Sequence, residues 1–278
     1  MTTSRTHYIH GSDPDEQQRL DVMNTLINSL CLEQLADIGA SRIVDFGSGM
    51  GQFTRAMARR AGLGACIVGI ERDENQRAKA IALAESEGEA RLVDFRAGDV
   101  HDPPLRDDEW GTFDLAWTRF VLEHVRRPLE IVDQMARAVR VGGDVILVDD
   151  DHEILRLWPE APEFQRAWEA YLRSYQAIGC DPNIGRKLPQ LLARAGLDTL
   201  RAATMHYGTC AGDPRFIPLV ENLMGVMRTA IGVVREHRLM PTEEYTSAID
   251  SLREWAAQPG AALWYVMHLA HATRRRSS

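Results

Sequence analysis

The sequence predicts an α/β protein on a doubly wound, mostly parallel sheet, and three observations carry that expectation. The stretch from Ile43 to Arg60 reads as strand, tight turn and helix. Ile43, Val44 and Phe46 surround the single acid Asp45, glycines stand at 47, 49 and 51, and Gln52 to Arg60 keeps helical spacing. Short apolar runs then alternate with helix-length amphipathic segments through residue 150, which implies right-handed crossovers and a parallel sheet. Gly88, Pro128 and Gly142-Gly143 punctuate the segments where helices should stop or start.

In chain order, residues 1–12 are polar and read as an arm. Asp13-Pro14-Asp15-Glu16 has the chemistry of a helix start, with acids against the positive end of the dipole. Leu20, Met23, Leu26, Ile27, Leu30, Leu32, Leu35 and Ile38 largely keep helical spacing, so that helix should lay one face on the core. Cys66 to Ile70 is the second strand, ending in Glu71, and Arg72-Asp73-Glu74-Asn75 opens a helix running to about Glu87. Leu92 to Phe95 is the third strand. The paired prolines in Asp102 to Glu109 exclude both helix and central strand. Phe113 to Thr118 is the fourth strand. Pro128 starts a helix carrying Ile131, Val132, Met135 and Val139 that Gly142-Gly143 should end, and the fifth strand follows to Val148. Beyond 150, residues 160–178 form an aromatic-rich amphipathic helix, 198–207 a strand, 214–237 and 242–257 helices, and Ala262 to Ala270 a last strand.

Composition narrows the function. With 45% hydrophobic and 26% charged residues the chain is expected to be a soluble globular protein. A formal charge of −8 argues against a general nucleic-acid binder, since phosphate contacts need a basic face, and Arg274-Arg275-Arg276 is a solvated end. The cysteines at 31, 66, 180 and 210 lack C-x-x-C spacing and read as reduced thiols, with Cys66 in a buried strand. Neither an apolar leader core nor 18 consecutive apolar residues occur, so a cytoplasmic protein without membrane contact is expected.

The glycine spacing selects among nucleotide cofactors. A dinucleotide fingerprint would place its third glycine at 52, where this chain has Gln52. The pattern from Asp45 to Gly51 is instead D-x-G-x-G-x-G, which resembles motif I of the class I S-adenosylmethionine-dependent methyltransferases. The resemblance runs through residues 42–150. Glu71 stands where that family places the acid that accepts both ribose hydroxyls. Ala97-Gly98-Asp99-Val100 is similar to the segment in which Asp reaches the adenine amino group and the next residue packs on the ring. Phe113 to Thr118, Leu122-Glu123-His124-Val125 and Arg140 to Val148 resemble the fourth strand, the helix opening after it, and the turn with the fifth strand.

The resemblance implies a Rossmann-like sheet of about seven strands, the last antiparallel, with Leu188 to Leu197 as the last crossover helix. It implies one domain over 1–278: an arm and helix at 1–40, a cofactor-binding core at 41–150, and a helical substrate cap from 151–184 and 208–260. It implies S-adenosylmethionine as cofactor and S-adenosylhomocysteine as product. The cofactor set it carries over is Tyr8 and Arg19 from the arm, with Asp45, Gly47, Ser48, Gly49, Gly51, Glu71, Arg72, Asp99, Val100 and Thr118.

The chemistry of these residue types fits. Backbone amides at a glycine turn can hold a carboxylate, Asp45 suits a cationic amino end, and the two oxygens of Glu71 can accept two hydroxyls. A sulfonium methyl is a strong electrophile, so alignment carries much of the rate, up to roughly 7–11 kcal/mol for oriented reactants. A base matters only when the nucleophile arrives protonated. Candidates for it are His124 first, then Glu123 and His152, with His206 near the sixth strand. Glu123-His124 is similar to a Glu-His pair in cyclopropane synthases, although L-E-H-V also serves as a helix opening. Asp149-Asp150-Asp151-His152 invites a metal reading. It is set aside because the fourth strand offers Thr118 and Arg119 in place of an acid, leaving oxygen ligation incomplete, so no metal is expected.

The function expected is methyl transfer to O, N or C of a small-molecule, secondary-metabolite or lipid-like acceptor, without nucleic acid, and exposed apolar cap faces would permit a homodimer. Two alternatives stand beside it: a non-methylating protein that binds the same cofactor, such as a cyclase or regulatory subunit, and a nicotinamide oxidoreductase.

Overall fold

The computed structural model describes residues 27–35, 39–62 and 64–275. Its strands are β1 (Arg42–Phe46), β2 (Cys66–Glu71), β3 (Val93–Ala97), β4 (Phe113–Arg119), β5 (Val139–Asp150), β6 (Arg156–Trp158), β7 (Asp198–Cys210) and β8 (Ala262–Thr273). Its helices are α1 (Gln52–Ala61), α2 (Glu74–Ser86), α3 (Pro128–Ala138), α4 (Pro162–Ala177), α5 (Leu188–Arg194), α6 (Phe216–Thr229), α7 (Ile231–Glu236) and α8 (Thr242–Ala256). Residues 27–33 are also helical.

The strands form one mixed sheet in the order β3-β2-β1-β4-β5-β8, with β7 on the far side of β8. Neighbours from β3 to β5 are parallel, whereas β8 runs antiparallel to both β5 and β7, as expected for a last strand. The short β6, not foreseen in the sequence, continues the line of β5 along the same edge of β8, pairing Trp158 with Ala262. From β1 the order proceeds to β2 and β3 on one side and to β4 and β5 on the other. Such a reversal opens a crevice at the carboxyl ends of β1 and β4.

Two-residue periodicity divides the sheet's side chains between two buried layers. Val44, Phe46, Val68, Ile70 and Ala116 pack with Ile131, Val132 and Met135 of α3 and Leu188, Leu191 and Leu192 of α5. Ile43, Ile67, Leu115 and Trp117 pack with Phe53 and Met57 of α1 and with Ile27, Cys31 and Leu35. The foreseen N-terminal helix is thus seen only from residue 27, and its earlier apolar positions lie outside the described residues.

Three boundaries differ from expectation. Asp73 caps α2 by accepting from Gln76 N, so the helix begins at Glu74. Leu122-Glu123-His124 forms a single 3-10 turn, separate from α3. Gly142-Gly143 does not end α3. Val139 already pairs with Phe113, and residues 140–143 bulge out before Asp144 rejoins β4 opposite Leu115. Gly142 has φ 77, and a Cβ on Gly143 would stand 3.0 Å from two carbonyl oxygens, which accounts for the glycines in the bulge. Cys66, at the first position of β2, is exposed rather than buried.

A third core lies away from the sheet's crossover helices. Phe164, Trp168, Tyr171 and Tyr175 of α4 meet Phe216, Leu223 and Met224 of α6 and Tyr245, Ile249 and Trp255 of α8. Leu263 and Tyr265 of β8 belong to the same cluster, so it is built onto the far end of the β7–β8 ladder. The helix foreseen over 214–237 is broken at Ala230 into α6 and α7.

Candidate active site

The turn after β1 is folded back on β2, with Gly47 N and Ser48 N both donating to Ile70 O at 3.0 and 2.9 Å. All three glycines have positive φ. At Gly51, where α1 starts, a Cβ would meet the Phe95 ring at 2.3 Å and Ala80 Cβ at 2.9 Å, so this glycine serves close packing of β3 and α2. At Gly49 a Cβ would meet only Gln76 Oε1, at 3.2 Å; its open side faces the crevice.

That crevice is a cleft of about 750 Å³. Asp45, Gly47, Ser48, Gly49, Glu71, Arg72, Asp99 and Val100 line it, all from the foreseen cofactor set. Gly51 lies behind the turn. Thr118 is a correction: it is fully buried and donates its hydroxyl to Phe46 O at 2.9 Å, whereas its strand neighbours Trp117 and Arg119 line the cleft. Alternation along β4 allows only one of the two sets to face it. Tyr8 and Arg19 lie outside the described residues.

Glu71 closes β2 with both carboxylate oxygens oriented: Oε2 accepts from Gly49 N at 3.0 Å and Oε1 from Asp73 N at 2.8 Å. Each oxygen retains a lone pair for a further donor. Burial pushes the Glu71 carboxyl up, opposed by these two N–H groups. Burial also pushes Asp45 up, to about 6, against the Thr54 hydroxyl that donates to its Oδ2 at 2.6 Å. At Asp99 burial raises the carboxyl, but the His101 backbone N–H and ring outweigh it and hold the group below its ordinary value.

Sequence reasoning missed Phe53, Trp117, Arg119, Phe120 and Gln76, which also line the cleft. The Arg119 guanidinium lies 4.7 Å from the Phe53 ring centroid and 5.4 Å from that of Phe120. Phe120 itself has φ 57, rare for an aromatic residue and a mark of backbone held by its surroundings. The period of two along β4 groups Trp117 with Arg119 without saying which parity faces the cleft, and the Phe120 conformation left no sequence signal.

At the other end of the cleft stands the 3-10 turn. His124 lines the cavity and stacks on Tyr175 with ring centroids 5.6 Å apart. Glu123 and His152 lie behind it, only 2% and 4% exposed, and do not reach the cavity. Glu123 Oε1 is 3.3 Å from His124 Nε2, and its Oε2 is 2.5 Å from His152 Nε2. The Tyr265 hydroxyl bonds His152 Nδ1, and Trp168 Nε1 donates to His152 O at 2.9 Å. Burial pushes Glu123 up to about 8 and His152 down. The fourth base candidate, His206, is exposed on β7 opposite Val266, away from the cleft.

Fold and cleft together define a nucleotide-cofactor-binding α/β protein whose glycine turn and strand-terminal acid flank the sheet's reversal point. Residues 44–147 match the family model described as a methyltransferase domain, and in that stretch the chain is similar to the class I S-adenosylmethionine-dependent methyltransferases. It is 28% identical over 230 residues to methyltransferase GfsG of Streptomyces halstedii, covering 81% of this chain and 77% of that protein. It is 27% identical over 208 residues to the probable chloroplastic tocopherol O-methyltransferase of Oryza sativa subsp. japonica, covering 72% of this chain and 54% of that one. The chain spans about half the length of the first curated relatives it matches, 52% and 54%. Among solved structures, the cyclase SpnF shares the fold with a TM-score of 0.56 at 17% identity, over 90% of this chain and 81% of that one. Among the described residues no helix is long and apolar enough to cross a membrane.

Proposed function

We propose that this chain transfers a methyl group from S-adenosylmethionine to a small-molecule acceptor, and that the carrying observation is the single cleft joining the Gly47–Gly51 turn and Glu71 to His124. The cleft fits the cofactor on its own terms. Gly49 leaves room for a ligand against the main chain, Glu71 keeps free lone pairs, and buried Asp45 lacks a cationic partner at hydrogen-bond distance among the described residues. In this reading Asp45 and the amides near Ser48 hold the aminoacyl end, Glu71 and Arg72 the ribose, and Asp99 and Val100 the adenine.

The cofactor, when bound, supplies a methyl carbon on a cationic sulfur. What the chain adds is placement: it excludes water behind Phe53, Trp117 and Phe120 and presents His124 at the acceptor end. The chain's residues would hold the acceptor atom in line with that methyl carbon and its sulfur. When the acceptor is a hydroxyl or protonated amine, its proton passes to His124. Glu123 and His152 are positioning residues, acting on the His124 imidazole through the Glu123 carboxylate.

The acceptor class follows from charge and from relatives. A net charge of −8 disfavours nucleic acid, and the relatives' printed names include a methyltransferase of tocopherol, a small lipid-like molecule. His124, at the cleft, stacks on Tyr175 from the buried aromatic cluster of α4, and in this reading the two helical excursions form the acceptor's cap. A homodimer through exposed cap residues such as Ile217 is part of the reading and is read by sedimentation.

The test is production of S-adenosylhomocysteine, assayed across a panel of phenolic, polyketide-like and prenylated acceptors. Turnover that falls at least about tenfold in His124→Gln with cofactor affinity retained supports the proposal. Tight cofactor binding with no product from any acceptor favours a non-methylating role, such as the cyclisation for which SpnF is named. Binding of NADH without S-adenosylmethionine would replace it with an oxidoreductase.

A further inference from the structure

We propose that Glu123, Asp150 and His152 form a binding site for one first-row divalent cation at the junction of the sheet with the α4–α6–α8 helices. Each residue offers one donor atom, and the three atoms lie within 4.8 Å of one another in a fully buried setting. They come from three elements: the 3-10 turn after β4, the last residue of β5, and the turn that follows it. The Asp149–His152 run alone supplies too few ligands; the missing carboxylate arrives from Glu123.

The neighbouring acids are already satisfied, whereas one oxygen of Asp150 is not. Asp149 accepts from Leu122 N at 2.9 Å and Asp150 N at 3.1 Å, and Asp151 receives Arg186 at 2.7 and 2.5 Å. Asp150 Oδ1 is buried, with no hydrogen-bond partner among the described residues, and the residue is 7% exposed. An orphaned buried carboxylate oxygen is costly unless a cation or proton meets it. Glu123 and His152 supply the other two ligand atoms. Burial raises Asp150 well above the ordinary carboxylate value, as it does Glu123, so an uncompensated pair of charges is disfavoured there.

The surroundings are those of a metal-bound imidazole. His152 can present Nε2 to the ion while Nδ1–H donates to the Tyr265 hydroxyl, which fixes tautomer and ring orientation. Trp168 Nε1 holds the His152 carbonyl, and Trp168, Tyr171 and Tyr175 pack around the ring. One imidazole with two carboxylates suits Mn²⁺, Fe²⁺, Co²⁺ or Zn²⁺ better than Mg²⁺, which prefers all-oxygen shells. On binding, the ion displaces the proton shared between Glu123 Oε2 and His152 Nε2, so metal uptake releases a proton to solvent.

The experiment titrates Co²⁺ into full-length, tag-free, EDTA-stripped protein at pH 7.5. Expected are saturation at one equivalent, a ligand-field band displaced by Zn²⁺, proton release seen as buffer-dependent heat, and a higher melting temperature. Asp150→Asn and His152→Ala should weaken binding at least about tenfold, with His206→Ala, on the exposed strand, unchanged. X-ray absorption of the Co²⁺-loaded wild type gives an answer without a variant, with one imidazole expected in the shell. No saturable binding, two or more imidazoles per cobalt, or affinity unmoved in folded Asp150→Asn overturns the site.

Discussion

Glu71→Gln tests the cofactor cleft most directly. The wild-type carboxylate accepts Gly49 N–H through one oxygen and Asp73 N–H through the other, and each oxygen can still take a ribose hydroxyl. The carboxamide offers one acceptor and one donor group, so one of the two backbone N–H groups must face another donor. One ribose contact is lost, and the survivor falls from a charge-assisted bond of about 1.5–3 kcal/mol to a neutral one of about 0.5–1.5 kcal/mol. The sum is roughly 2.5–4.5 kcal/mol of binding, a loss of about 70–2,000-fold in affinity. Because Glu71 sits at the cleft rim, the unmatched N–H can turn to water, and the stability loss should stay near about 1 kcal/mol. Calorimetric titration of S-adenosylhomocysteine at pH 7.5, beside a thermal melt, separates the two effects. Exposed Glu74→Gln serves as control. A cooperative variant that binds within threefold of wild type would refute the assignment of Glu71 to the ribose.

Four further outcomes are expected. Burial holds Asp45 at about 6, so cofactor affinity should be flat above that pH and fall by up to about tenfold per unit below it, as the carboxylate that meets the cationic amine is protonated. The same raised carboxyl disfavours folding when ionised, so the unliganded protein should gain stability as pH drops from about 6 toward the ordinary Asp value; opposite slopes for affinity and melting temperature are the signature, and parallel slopes would contradict it. Gly51→Ala drives a methyl into Phe95 and Ala80 at a left-handed φ, and should lower stability by roughly 2–5 kcal/mol, read from urea denaturation. The bidentate Arg96 guanidinium holds Glu109 down to about 2, so its stabilisation is present above the ordinary Glu range and lost as pH falls toward 2. Glu109→Gln should therefore flatten the acid limb of the stability curve, and an unchanged limb would place the acid transition elsewhere.

Much of the fold was legible because the parallel strands are short apolar runs whose ends carry chemistry of their own. Asp45, the glycines and Glu71 sit at fixed offsets from β1 and β2, where backbone geometry leaves little choice of residue, and all of these but Gly51 line the cleft. Thr118 was misassigned by one position because a strand gives no local sign of which parity faces a crevice. Gly142-Gly143 looked like a helix end because glycine marks helix ends and bulges alike; the pairing of Val139 with Phe113, a long-range contact, decided between them. The union of Glu123 with His152 joins residues 29 apart and depends on how a turn and a strand end converge, which no local pattern encodes.

The second helical excursion leaves the sheet at Cys210 and returns at Ala262, and these two residues are direct partners, with Ala211 N bonded to Ala261 O at 2.7 Å just beyond them. Some fifty residues therefore hang from one rung. The length of that lobe is therefore set independently of the register along the rest of the β7–β8 ladder, whose other rungs lie on the sheet side of its two ends.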